Sequence, residues 1–257
     1  MALTVQRFGL SLPIFGELAD PRVVADVAAR AEARGWDGVF VWDHLFYSAP
    51  VREVADPWVT LAAIAVATER VRLGPMVTPL ARRRPVKVAK ETATLDVLSG
   101  GRLTLGVGLG SEKHGEFAAF GEDDDARVRA SLLDDALAFL DAAWAGEPVG
   151  AGGVTLLPAP VQRPRPPVWV AGRWPHRAPL RRAARWDAFF PVDVPSPDAL
   201  AAYVDGVTLA DVVVDGDAAT DPRPWFAAGA TWWLTTFSPF DVTLADVRAA
   251  VDAGPPR

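Results

Sequence analysis

Residues 69–110 read ERVRLGPMVTPLARRRPVKVAKETATLDVLSGGRLTLGVGLG. Two short apolar runs, 71–80 and 103–110, flank a helical segment at 85–98. This is a strand–helix–strand unit. The first strand runs through Thr78-Pro79 toward Arg82-Arg83-Arg84, and the second ends in alternating glycines, Gly106, Gly108 and Gly110. If the strands are parallel, both ends lie at one sheet edge, where parallel sheets bind ligands.

The same rhythm extends both ways. Upstream, strands are expected at 8–13 and 36–42. Asp20-Pro21 and Asp56-Pro57 supply helix starts, because aspartate caps free N–H groups and proline at the first helical position loses nothing. Downstream, a long helix carries the apolar stripe Val128, Leu132, Leu133, Ala136, Leu137, Leu140 and Trp144. A Gly/Pro-rich connection at 146–167 follows, then strands at 168–172, 187–192, 210–214 and 231–236. Eight strands alternating with helices imply parallel pairing with right-handed crossovers. A doubly wound sheet would place a G-x-G-x-x-G turn after the first strand, and none is there. The reading is therefore an α/β (β/α)8 TIM barrel of parallel strands, one domain over residues 1–257. It is trimmed between strands seven and eight, where residues 215–230 are short for a full crossover.

Composition narrows the function classes. With 257 residues and half of them hydrophobic, the chain can bury a sizeable core. The net charge of −6 disfavours a general nucleic-acid binder. The absence of cysteine removes disulfides, thiolate metal sites and cysteine nucleophiles. No signal peptide or membrane span is expected, because the amino-terminal MALTVQRFGLSLP lacks a basic start and no apolar run reaches about 18 residues. A cytoplasmic location fits these features.

Several residues could carry chemistry. Asp43-His44 follows an apolar strand, either as a cap or salt bridge, or as a ligand-facing pair in which His44 moves a proton. The three histidines, His44, His114 and His176, all fall after strands, but they lack the close pairing of barrel metal sites, so no metal is expected. The arginine triplet reads as a solvated loop or as an attractor for an anion. The glycines at 106–110 could let a planar group approach the backbone. Ala171-Gly172-Arg173-Trp174 precedes a helix whose free N–H groups suit a phosphate.

Taken together, GWDGVFVWDHL (35–45), the stretch 56–110, EFAAFGED (116–123), PAPVQRPRPPVWVAG (158–172) and RAARWDAFFP (182–191) resemble the bacterial-luciferase-like flavin or deazaflavin oxidoreductases. The resemblance implies a ring in the barrel mouth, from FMN or the deazaflavin coenzyme F-420. It implies a bulge in strand three with a non-proline cis peptide at Met76-Val77 or a neighbouring bond, backing the ring and followed by Thr78. It implies that Gly108, Gly110 and Glu112 border the ring, and that Ala171, Gly172, Arg173 and Trp174 receive its phosphate. Asp43 falls with the cofactor-binding group, and His44 with Glu112 or Glu116 in the catalytic group. The implied activity is hydride transfer to or from a small organic substrate, or monooxygenation with FMN. The alternative is a degenerate barrel that binds without turnover. A homodimer is implied by analogy.

Overall fold

The computed structural model describes residues 5–256; the first four residues, part of the amino-terminal segment read above, and Arg257 lie outside them. The strands are β1 (Arg7–Leu12), β2 (Gly38–Val41), β3 (Arg72–Pro75), β4 (Thr78–Pro79), β5 (Leu105–Gly108), β6 (Val168–Arg173), β7 (Ala188–Val192), β8 (Asp211–Gly216) and β9 (Trp232–Thr236). All paired strands are parallel. The helices between them are α1 (Pro21–Ala33), α2 (Pro57–Ala67), α3 (Pro85–Leu98), α4 (Ala126–Ala145), α5 (Arg177–Ala183), α6 (Pro197–Val204), α7 (Arg223–Ala227) and α8 (Leu244–Ala253). The fold is the expected barrel. The crossover between β8 and β9 is trimmed to the five residues of α7.

One expectation needs correction. The run 71–80 is two strands rather than one. β3 pairs with β2, whereas β4 pairs with β5, with Thr78 opposite Val107 and Pro79 opposite Gly108. Met76 and Val77 form the bulge between them, and their peptide bond is cis. The sheet thus runs from β3 around to β4, two halves of one interrupted strand, and a single parallel bridge from Leu73 to Leu103 spans the seam.

Local chemistry explains the helix starts. Asp20 accepts from the Arg22 N–H, Asp56 from Val59 and Ser196 from Ala199, and prolines occupy the first turns of α1, α2, α3 and α6. Each cap satisfies a donor that the helix cannot. The strands alternate between two cores. Val39, Val41, Leu105, Val170, Phe189 and Trp233 pack outward under the helices. Phe40, Met76, Trp169, Ala188, Phe190, Val213, Trp232 and Leu234 fill the barrel interior. Phe40, Trp169 and Trp232 form its plug, with ring centroids 5.0–6.0 Å apart.

Candidate active site at the barrel mouth

The alternation along β2 decides how Asp43 and His44 divide. Phe40 points inward and Val41 outward, so Trp42 and His44 continue the inner face and Asp43 turns under the rim. Trp42 donates its indole N–H to Ser11 Oγ at 3.0 Å. Asp43 is buried, and its carboxylate accepts from Thr78 Oγ1 at 2.8 Å, from Arg82 at 3.1 Å and from Arg83 at 2.8 and 2.9 Å. The Asp43 carboxylate is therefore engaged by protein, as a salt bridge to the arginines, and lies behind the mouth surface.

The arginine triplet is corrected by the same contacts. Arg82 and Arg83 are not a solvated loop, since their side chains are 2% and 17% exposed. Only Arg84 of the three is exposed. Arg82 also lies 3.2 Å from Glu116 Oε1, an ion pair by distance whose direction is too bent for a hydrogen bond. A buried charge chain results: Arg83, Asp43, Arg82, Glu116, His44. It leaves neither arginine free for an anion.

Of the two glutamates, Glu116 reaches His44. Its Oε2 lies 2.7 Å from His44 Nδ1, and its Oε1 accepts from the Leu45 N–H at 2.6 Å. Glu112 instead accepts from the backbone N–H groups of Phe117 and Ala118, at 2.9 and 3.2 Å, and so shapes the loop that presents Glu116. Burial pushes the Glu116 carboxyl up, but the His44 bond and charge, the Leu45 N–H and Arg82 outweigh it, and the net shift is down. Glu116 is thus ionised and can only accept. His44 must carry its proton on Nδ1, which leaves Nε2 as the working nitrogen.

His114 joins this group. Ser48 Oγ lies 2.5 Å from His114 Nδ1, and the Tyr47 ring lies 4.0 Å from His114 and 5.0 Å from His44. Phe15, Trp42 and Phe240 pack around Tyr47 and close one side of the mouth. Burial, then the neighbouring His44 and Lys113 charges, hold His114 below its ordinary pKa. His176 is exposed and stands apart, after β6. Among the described residues, no group of three or more His, Asp or Glu could hold a metal ion.

The glycines have a different role from the one their spacing suggests. A Cβ on Gly106 would lie 2.3 Å from Pro75 O, and one on Gly108 would lie 2.9 Å from Val77 Cγ2. Gly110 has φ +74°, and its Cβ would meet Pro79 and Phe117. The space over these residues is filled by the bulge of the neighbouring strand. Val77 and Ala171, both apolar and partly buried, flank Gly108, where a Cβ would stand 3.6 Å from that of Ala171.

Around β6 the four predicted residues separate. Ala171 packs on the interior cluster, but Gly172 faces outward, where a Cβ would collide with Pro179 of α5 at 2.1 Å. Arg173 is exposed and pairs with Asp193 after β7. Trp174 is 37% exposed. Arg177 turns away to carbonyls of α6. The residue that sequence reasoning missed is Asp215, inside the barrel on β8. Its only signal was the end of an apolar run, VVVDG.

The family model described as luciferase-like monooxygenase matches residues 3–213. The F420-dependent glucose-6-phosphate dehydrogenase of Beutenbergia cavernae is 41% identical over 137 residues, covering 52% of this chain and 40% of that protein. The chain spans less than half the length of the curated relatives it matches. Among solved structures, an F420-dependent secondary alcohol dehydrogenase superposes with a TM-score of 0.78 at 19% identity, covering 96% of each chain. The monooxygenase RslO1 from Streptomyces bottropensis superposes with a TM-score of 0.76 at 21% identity, covering 96% of this chain and 97% of its own. At these identities the superpositions show the shared barrel.

Proposed function

The chain belongs to the luciferase-like monooxygenase family, and we propose that it is an oxidoreductase that works with a bound flavin or deazaflavin on a small organic substrate. The observation that carries this reading is the His44–Glu116 pair, aimed into a mouth with one apolar side. Val77 and Ala171, with Gly108 leaving room behind them, suit the face of a flat tricyclic ring, which needs apolar contact. Hydride exchange at the ring's C5 position is the chemistry that such a group supplies when bound. The relative named as an F420-dependent dehydrogenase favours the deazaflavin over FMN.

In this reading the chain's residues divide the work. Met76, Val77 and Thr78 set the back wall, with Gly108 and Gly110 making room for it. His44 Nε2 takes the proton of a substrate hydroxyl, or returns one to a carbonyl oxygen. Glu116 fixes the tautomer and stabilises the imidazolium, as the carboxylate does in a catalytic triad. Asp43 and Glu112 position these two without touching substrate. Arg173 and Trp174 are the residues best exposed to meet a phosphate, once Arg173 leaves Asp193.

We also propose a homodimer. α2 is apolar around most of its circumference and leaves Val59 and Val66 62% and 74% exposed. An apolar helix face of this kind suits a partner copy.

Titrating the protein separately with FMN and with the deazaflavin, followed by ring fluorescence, tests the reading; binding of neither would sink it. In the loaded protein, His44→Ala should lower turnover by about 10²-fold or more while cofactor affinity changes little. Binding without turnover would assign the chain to the degenerate alternative.

A further inference from the structure

Asp215 has no part in the proton chemistry above. Val213 lies in the interior cluster and Val214 in the outer one, so Asp215 faces the inside of the barrel. It is in register with Leu234 of β9, which is in register with Gly9 of β1. Its inner-face neighbours on β8 and β9 are therefore Val213 and Leu234, both apolar. One step further along β9 on the same face is Thr236.

Among the described residues, no other side chain gives Asp215 a hydrogen bond or ion pair. Several other charges around the mouth are paired with one another. Asp43 and Glu116 are met by Arg82 and Arg83, and Arg173 by Asp193. Asp193, the charged group that bears on Asp215 from β7, has the same sign. No charged side chain faces it from β9. Burial, then the Asp193 charge, push its pKa up to about 6 against its own backbone N–H. Thr236 Oγ1 and Trp232 Nε1, also on the inner face of β9, are buried without partners. Asp215 is half-buried, so solvent still reaches its carboxylate. A carboxylate recessed among apolar side chains without a cation is nonetheless poorly solvated, and a cation supplied by a ligand improves its surroundings.

We infer that Asp215 is the specificity-determining residue of the mouth, and that it receives the ammonium group of an amine-bearing substrate, with Thr236 Oγ1 as a second acceptor. This rests on the mouth being the substrate site, as proposed above, and it narrows the substrate class. Neutral substrates of the same shape would leave the carboxylate unmatched and would bind less tightly.

The test uses the full chain, with and without saturating cofactor. Cyclohexylmethylamine and cyclohexylmethanol are titrated calorimetrically at mildly alkaline pH, where the carboxyl is ionised and the amine protonated. Wild type should bind the amine at least about tenfold more tightly than the alcohol, as expected for a charge-assisted bond in a partly desolvated site. Asp215→Asn should abolish that preference, Asp215→Glu should keep part of it, and Thr236→Val should weaken amine binding alone. Equal affinities in wild type, no binding of either probe, or a preference that survives in Asp215→Asn each overturn the inference. Cofactor binding is followed in the same samples. Amine preference without cofactor binding would sink the oxidoreductase reading and leave this one standing. The reverse result would do the opposite.

Discussion

Glu116 serves two neighbours at once, holding the His44 ring by one oxygen and the Leu45 backbone by the other. Glu116→Gln keeps the shape and removes the charge, so the Nδ1 proton of His44 is no longer required and the imidazolium loses its counter-ion. Turnover should fall by about 10–100-fold while cofactor affinity holds, which steady-state kinetics and a binding titration together would read. Asp215 carries a different residue-scale prediction. Its carboxyl has a higher pKa in the folded chain, about 6, than in the unfolded one, about 3.9. The folded state therefore binds more protons between those values, and stability falls as pH rises through that window. Asp215→Asn should remove this dependence and stabilise the protein above about pH 6 by up to 2–3 kcal/mol, less at a side chain that solvent still reaches. Urea midpoints measured across the window check it. A pH dependence unchanged by the substitution would mean that Asp215 is not the titrating group. Asp43-His44 was legible as a pair at this scale, but its division of labour was not. Strand alternation separates the two side chains, and only the distant arginines show which one is consumed by structure.

At the scale of elements, the strand-three bulge and the glycines of β5 are one device seen from two sides. A Cβ on Gly106 would press on the Pro75 carbonyl, which is backbone and cannot rotate away. One on Gly108 meets a methyl of Val77. Gly106→Ala should therefore cost about 1–3 kcal/mol, and Gly108→Ala less, by thermal or urea unfolding. Equal costs would show that the bulge moves as a body. The helices were the most legible elements. α3 occupies the residues its pattern marked, and Asp-Pro starts α1 and α2, because caps and helical periodicity are local signals. The interruption between β3 and β4 was not legible, since it depends on which neighbour each half pairs with. The choice between Glu112 and Glu116 stayed open in the sequence for a related reason. The two lie in one irregular loop, and their roles follow from how Glu112 ties it to Phe117 and Ala118.

For the whole molecule, the barrel read from eight alternating runs is the barrel observed, and even the trimmed β8–β9 crossover was visible as missing length. Among the described residues, no helix is long and apolar enough to cross a membrane. Association is the property that belongs to this scale. If α2 forms the contact between two copies, Val59→Lys with Val66→Lys should convert the dimer to monomer in sedimentation without altering the far-ultraviolet circular dichroism. A wild-type monomer at micromolar concentration would rule the dimer out. Away from the seam the barrel is laced by ladders of two to five residue pairs, but among the described residues β3 and β5 share a single backbone bridge, Leu73–Leu103, supplemented by Arg72 side-chain bonds to Thr104 Oγ1 and the Leu103 carbonyl. Sub-global opening follows the weakest cooperative boundary. The breathing of this molecule would therefore start where one strand changes neighbours, and the wall beside His44 would be the first to let solvent in and the last to re-form.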